Sequence, residues 1–262
     1  MISHASSSPP VSPRLSATGV IAIWLVTRAA LLALTLGWFQ GDTGTYFEQG
    51  RRWLGGERPY LDYPVEYPPG AALLFAGLVA LARIFGDDLA TFRIVFVLAC
   101  LVCDAALAWM LARVPAADPE GRPSRGPVLA HAAIGLCLYP IWLVRFDLFP
   151  SVFVLLAALM VARPASNLRS GARAGLALGL GIALKLYPVL LFFPWLVGLA
   201  RSLFPSTISH QPAASETRSR AFAAQLRFLI VVGGAAALVV VISFAPAWLA
   251  GAGPAVFSFL DY

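Results

Sequence analysis

Asp42, Glu48, Arg51, Arg52, Asp62 and Glu66 fall within one polar interval, residues 41–70, set between apolar runs. Farther along come Arg145 and Asp147, two residues apart, and Lys185, the single lysine in the sequence. A carboxylate within reach of a hydroxyl can take its proton, and a cation at a helix end can hold a phosphate. Asp42 directly follows the first apolar run and precedes Tyr46 by four residues, so a helix starting here places both on one face. On those terms Asp42 is either the cap of that helix or a candidate base. The interval also holds a Gly55-Gly56 turn and Pro68-Pro69. The prolines predict extended backbone at residues 67 and 68 and a helix start just after, which holds Asp62 and Glu66 near an apolar boundary.

The remaining candidates are fewer. Arg145 and Asp147 fork round a turn that Pro150 is expected to end, with Asp147 orienting Arg145. Lys185 stands where a helix breaks at Tyr187-Pro188, a position suited to a point charge on a phosphate and equally to snorkelling. His4, His131 and His210 are scattered, and no metal or catalytic cluster can be made from them. Cys100, Cys103 and Cys137 all lie in apolar runs, where cysteine acts as a small hydrophobe. Nucleotide and acyl-transfer motifs are absent from the sequence.

What positions these residues is a membrane. Of 262 residues 59% are hydrophobic and 12% charged, with a mean hydropathy of +0.78, which excludes an ordinary soluble domain. The net charge of +6 does not point to nucleic acid, because the arginines sit in short connections between apolar runs, the pattern that orients membrane proteins. The expectation is an all-α, polytopic transmembrane helical bundle of about seven spans. Residues 1–16 form a disordered cytoplasmic tail and 17–262 one transmembrane domain, with 40–92 as an outer loop carrying juxtamembrane helices. Spans are expected at 17–39, 93–113, 128–144, 151–162, 174–184, 189–200 and 228–250, and the 17 residues of 70–86 are at the lower limit for crossing. Connections 114–127, 163–173 and 201–227, with their flanks, hold ten arginines and are assigned to the cytoplasm. Two arrangements fit this assignment: the N-terminus inside with 70–86 not fully crossing, or the N-terminus outside with 70–86 crossing. The first is preferred because it alone puts 41–69 on the same face as Arg145, Asp147 and Lys185. Arg28 and Asp104 fall at similar depth in their spans and are expected to pair.

The order of Asp42-x-x-x-Tyr46, Gly55-Gly56, Pro59-Tyr60, Asp62-Tyr63-Pro64-Val65-Glu66-Tyr67-Pro68-Pro69, Arg145-Phe146-Asp147 and Ala183-Leu184-Lys185-Leu186-Tyr187-Pro188 resembles the GT-C class of lipid-linked-sugar glycosyltransferases. Within it the chain is most similar to the bacterial polyprenol-phosphate-mannose-dependent mannosyltransferase group, over residues 15–262. The resemblance implies inverting transfer of a sugar, usually mannose, from a polyprenyl phosphate to a lipid or glycan hydroxyl at the outer face of the cell membrane, with no cofactor. It implies Asp42 as the catalytic acidic residue. Lys185 and Arg145 would then hold the donor phosphate, with Tyr46, Asp62, Glu66, Asp147 and Tyr187 in support. The group continues with further helices past the position of Ser258-Phe259-Leu260-Asp261-Tyr262, so the chain is expected to be C-terminally truncated relative to it. Two other readings stand beside this one: a transporter or flippase with Arg28 and Asp104 along its pathway, and a non-catalytic membrane subunit.

Overall fold

Proline, glycine and capping side chains set where the helices begin and end. The structure, a computed structural model, describes residues 16–35, 42–114, 125–162, 167–203 and 214–260, and among these there is no strand, only an isolated bridge between Pro59 and Tyr63. Helix α1 covers Ala17–Thr35 and α2 covers Thr43–Leu54, after which Gly56 turns the chain with a φ of 94°. Glycine takes that conformation at little steric cost, as the Gly55-Gly56 turn requires. Pro68 is extended (φ −57°, ψ 156°), and α3, Pro69–Ala82, starts on a residue whose missing N–H is harmless at that position. Asp88 caps α4, Leu89–Leu111, by accepting from the N–H groups of Ala90 and Thr91 at 2.9 and 3.0 Å.

Several boundaries differ from the sequence expectation, each for a local reason. The span expected over 128–144 is broken into α5, Gly126–Cys137, and a single turn α6, Tyr139–Trp142. Pro140 causes the break, since its ring removes a donor and crowds the preceding turn. Helix α7, Leu148–Val161, begins ahead of Pro150, which sits in its first turn instead of ending the loop before it. Asn167 caps α8, Leu168–Leu184, through the N–H of Ser170 at 2.9 Å, so the helix starts before the expected 174. It stops at Lys185, and a 3₁₀ turn at Tyr187–Leu191 leads into α9, Phe192–Leu203. Helix α10, Ala214–Ala247, takes in much of the expected loop 201–227, because alanine, glutamate, glutamine and arginine there favour helix. A π turn at Trp248–Ala252 and a 3₁₀ segment at Gly253–Leu260 close the described chain. The expectations for residues 1–15, 36–41, Arg122, Arg163, His4, His210, Asp261 and Tyr262 lie outside the described residues.

Among the described residues two helical segments, Leu89–Leu111 and Phe222–Phe257, are long and apolar enough to cross a membrane, and the other apolar helices are shorter. At 14 residues α3 is about 21 Å long against a hydrocarbon core of ~30 Å. Helices α7 and α8 pack antiparallel, whereas α8 and α10 run side by side in the same sense, Gly175 meeting Val232 and Gly179 meeting Ala236. The Gly- and Ala-rich face of α8 is what lets these backbones approach. A Cβ on Gly175 would lie 2.3 Å from the Val232 carbonyl oxygen, an atom that cannot give way without moving α10. Gly175→Ala is therefore expected to lower unfolding stability by roughly 1–3 kcal/mol in detergent. Gly233→Ala, where the nearest atom is 3.8 Å away, is the matched control and should be neutral or slightly stabilising. Equal thermal stability of the two variants would count against this packing.

Candidate functional site

Asp42 occupies the cap position of α2, yet its side chain makes no capping hydrogen bond. Its Oδ2 instead accepts from the Tyr46 hydroxyl at 3.3 Å and lies 3.2 Å from Nε of Arg145. The shared helical face expected for Asp42 and Tyr46 is thus used, and the capping role is not. Tyr46 is itself fixed: it is 1% exposed, stacks on Phe75 at 4.4 Å and meets Phe96 and Phe146 at 5.5 Å. Burial first, and then the electrostatic effects of neighbouring Tyr67 and Asp42, push its hydroxyl far above the ordinary tyrosine range, so it stays protonated and a donor to Asp42.

A second ion pair lies across the ring of Phe146. Lys185 Nζ is 2.5 Å from Asp147 Oδ1 and sits over the Phe146 ring at 5.2 Å. The turn between α6 and α7 thus sends Arg145 one way and Asp147 the other around a buried phenylalanine. Asp147 was expected to orient Arg145; it pairs with Lys185, because residues 145 and 147 diverge around Phe146. Tyr187 joins from the α8–α9 connection, its hydroxyl 2.9 Å from Ser151 Oγ, which donates to the Asp147 carbonyl at 2.7 Å. All four charged side chains are partly exposed, between 31% and 49%. Pairs of this kind contribute about 0–1 kcal/mol, so an arriving anion can replace the carboxylates on Arg145 and Lys185 at small cost.

Asp62 and Glu66 do not enter either pair. Asp62 closes its own loop, accepting from the Arg58 backbone N–H at 2.7 Å and lying 3.2 Å from Arg58 Nε. Those bonds hold its carboxyl below the usual aspartate range, hydrogen bonding to Arg58 being the main cause. Glu66 is exposed beside Tyr67, whose hydroxyl is raised mainly by burial, with smaller contributions from the charges of Asp42 and then Glu66. Tyr67 and Phe146 entered the sequence reading only as members of longer motifs, without a role of their own, and Ser151 did not enter it. The Tyr67 ring, just ahead of Pro68, lies edge-on to Phe146 at 4.9 Å.

Beside the pairs runs a pocket of about 870 Å³ between the loop after α2, the start of α3, the start of α7 and the C-terminal ends of α8 and α10. Its lining is apolar apart from Glu57, Arg58 and Ser243, and it includes Leu184 and Phe149, one and two residues from Lys185 and Asp147. The C-terminal Ala252 and Val256 cover the same loop by packing with Tyr60, Tyr63 and Val65.

Arg28 and Asp104 do pair, and more closely than depth alone required. Arg28 Nε and Nη2 donate to Asp104 Oδ2 and Oδ1 at 2.6 and 2.8 Å, and the indoles of Trp24 and Trp142 each donate to it at 3.0 Å. His131 Nε2 lies 2.8 Å from Asp104 Oδ1 without hydrogen-bond alignment, so that contact is ionic only with a protonated ring. Arg28 is 3% exposed and Asp104 0%, and Gly135 leaves the space the guanidinium fills. Among the described residues no three His, Cys, Asp or Glu side chains gather to hold a metal ion. Comparison with protein-family models, curated proteins and solved structures finds no match to this chain.

Proposed function

We propose that this chain is a multi-pass membrane glycosyltransferase of the GT-C type, an all-α bundle of about seven spans with a cytoplasmic N-terminus and an extracytoplasmic site. The donor would be a polyprenyl-phosphate sugar and the acceptor a lipid or glycan hydroxyl. The observation that carries this reading is the grouping of Asp42, Arg145, Asp147 and Lys185 at one end of the bundle, next to an apolar pocket. In the reaction Arg145 and Lys185 exchange their carboxylates for the donor phosphate. The acceptor oxygen attacks the anomeric carbon with inversion, its proton passes to Asp42, and the electron pair of the broken C–O bond leaves on the polyprenyl phosphate. Tyr46 keeps Asp42 aimed throughout.

The transporter reading is weakened by the same geometry. Asp104 faces the buried Arg28 and two half-buried indole donors that satisfy both of its oxygens, so the pair behaves as a fastener between α1, α4, α5 and α6. A direct assay decides the matter: purified protein in liposomes, a polyprenyl-phosphate mannose donor, and membrane lipid extract as acceptor. Labelled mannose should move to lipid or glycan, and Lys185→Ala should weaken donor binding about tenfold or more, as loss of a charge-assisted bond predicts. Donor binding unchanged in Lys185→Ala would remove Lys185 from the phosphate site.

A further inference from the structure

The heights of the helices can be compared with the thickness of a bilayer. Along α10, Arg227 and the half-exposed Trp248 that opens the turn after it are separated by about 31 Å at 1.5 Å per residue, a basic residue and an indole bracketing a core of ~30 Å. On α4 the basic end is marked by Arg113, stacked 3.5 Å over the exposed Trp109. Cys100, whose thiol meets the Arg145 carbonyl at 3.8 Å, stands only about 20 Å from that end. Along α8 the distance from Arg169 to Lys185 is about 24 Å. Both rulers place the two ion pairs roughly 7 to 11 Å short of the level that Trp248 marks.

What rises past them is apolar. Helix α4 continues from Cys100 to Asp88, another ~18 Å, with Ile94 and Leu98 exposed on its outward face. Helix α3 starts beside Ala183, at the level of the pairs, and climbs to the same tip with Leu73, Leu81, Ile84 and Phe85 exposed. An outward face of this extent is poorly suited to water, and α4 is long and apolar enough to cross a membrane. The tip then changes character, with the exposed Arg83–Asp87 pair and the Asp88 cap at headgroup height. The polar flank is α2, whose Glu48–Arg51 pair is more than half exposed and gives water a wall to follow down.

We infer that the α3–α4 hairpin is embedded in the outer leaflet, its outward face against lipid acyl chains, so that the charged cluster opens inside the membrane. A phosphate meeting Arg145 and Lys185 sinks below the headgroup plane, and its attached chain is then level with the apolar pocket. The inference rests on the multi-pass arrangement proposed above, not on the transfer chemistry. It is tested by single cysteines carrying a fluorophore at Leu73, Ile94, Asp87 and Val102, in a cysteine-free background reconstituted in liposomes. Leu73 and Ile94 should lose fluorescence to lipids with nitroxides on the acyl chain and little to aqueous iodide, with the reverse at Asp87. Val102, exposed at the middle of α4, is the reference for crossing. Chain quenching at Val102 together with iodide quenching at Leu73 and Ile94 overturns the inference alone, since the hairpin then stands in water. Iodide quenching at Val102 overturns the multi-pass arrangement and the inference with it.

Discussion

Replacing Asp42 with Asn is expected to slow sugar transfer by about 10²- to 10⁴-fold while donor binding persists. Asn keeps the shape and an oxygen that can accept from Tyr46, and it removes the basicity. The change in barrier, roughly 3–5 kcal/mol, is well above what the fold can lose here. Asp42 makes no capping bond, and its contact with Arg145 is half-exposed and contributes at most about 1 kcal/mol. Thermal unfolding of Asp42→Asn should therefore match the parent, and single-turnover rates should not. Measuring Glu66→Gln in parallel distinguishes the two acidic residues nearest Tyr67. Near-normal turnover by Asp42→Asn with an inactive Glu66→Gln would move the base to Glu66.

Rigid placement is the reason for choosing Asp42 over Asp62. Its base is α2, locked by Tyr46 against Phe75, Phe96 and Phe146, and orientation of this kind supplies much of an enzyme's advantage. Asp62 sits on a loop that it must itself hold together through Arg58, and its lowered carboxyl is a poorer base for that reason.

How far the sequence alone reached depended on whether the deciding interaction was local. The turn at Gly55-Gly56, the extended Pro68, the helix from Pro69 and the break after Leu184 follow from backbone limits of one or two residues, and all appear where expected. The pairing of Arg28 with Asp104 was legible because two charges deep in apolar runs need each other. Partners at the site were not legible. Arg145 and Asp147 are two apart, and nothing in that spacing says that Phe146 between them is buried and sends each to a different helix. Helix starts at Leu168 and Ala214 were missed because arginine was read as loop, although it is a good helix former and Asn167 offered a cap. The pocket is assembled from segments spread along most of the chain, which no local pattern encodes.

Removing one member of the buried pair should be the most damaging single change to stability. Asp104→Leu leaves the Arg28 guanidinium in an apolar interior and strips the acceptor from two indoles, so a loss of about 3–5 kcal/mol is expected in detergent unfolding. Arg28→Leu leaves the carboxylate with only the two indole N–H donors, beside His131, and should cost a similar amount. The double substitution to Leu removes both charges, so it should cost less than the sum of the singles by about 1–3 kcal/mol, the remaining loss coming from the unsatisfied Trp24 and Trp142 N–H groups. Double-mutant analysis of thermal midpoints measures that coupling. A double variant whose loss equals the sum would mean that the two charges do not support each other, and harmless single variants would mean that the bundle does not depend on the pair. With the coupling present, the damage should also reach the site, because Trp142 ends α6 three residues before Arg145. Losing its hydrogen bond frees the turn that aims Arg145 at Asp42. Trp142→Phe removes that bond together with part of the indole, so it should weaken donor binding while costing about 1–3 kcal/mol of stability.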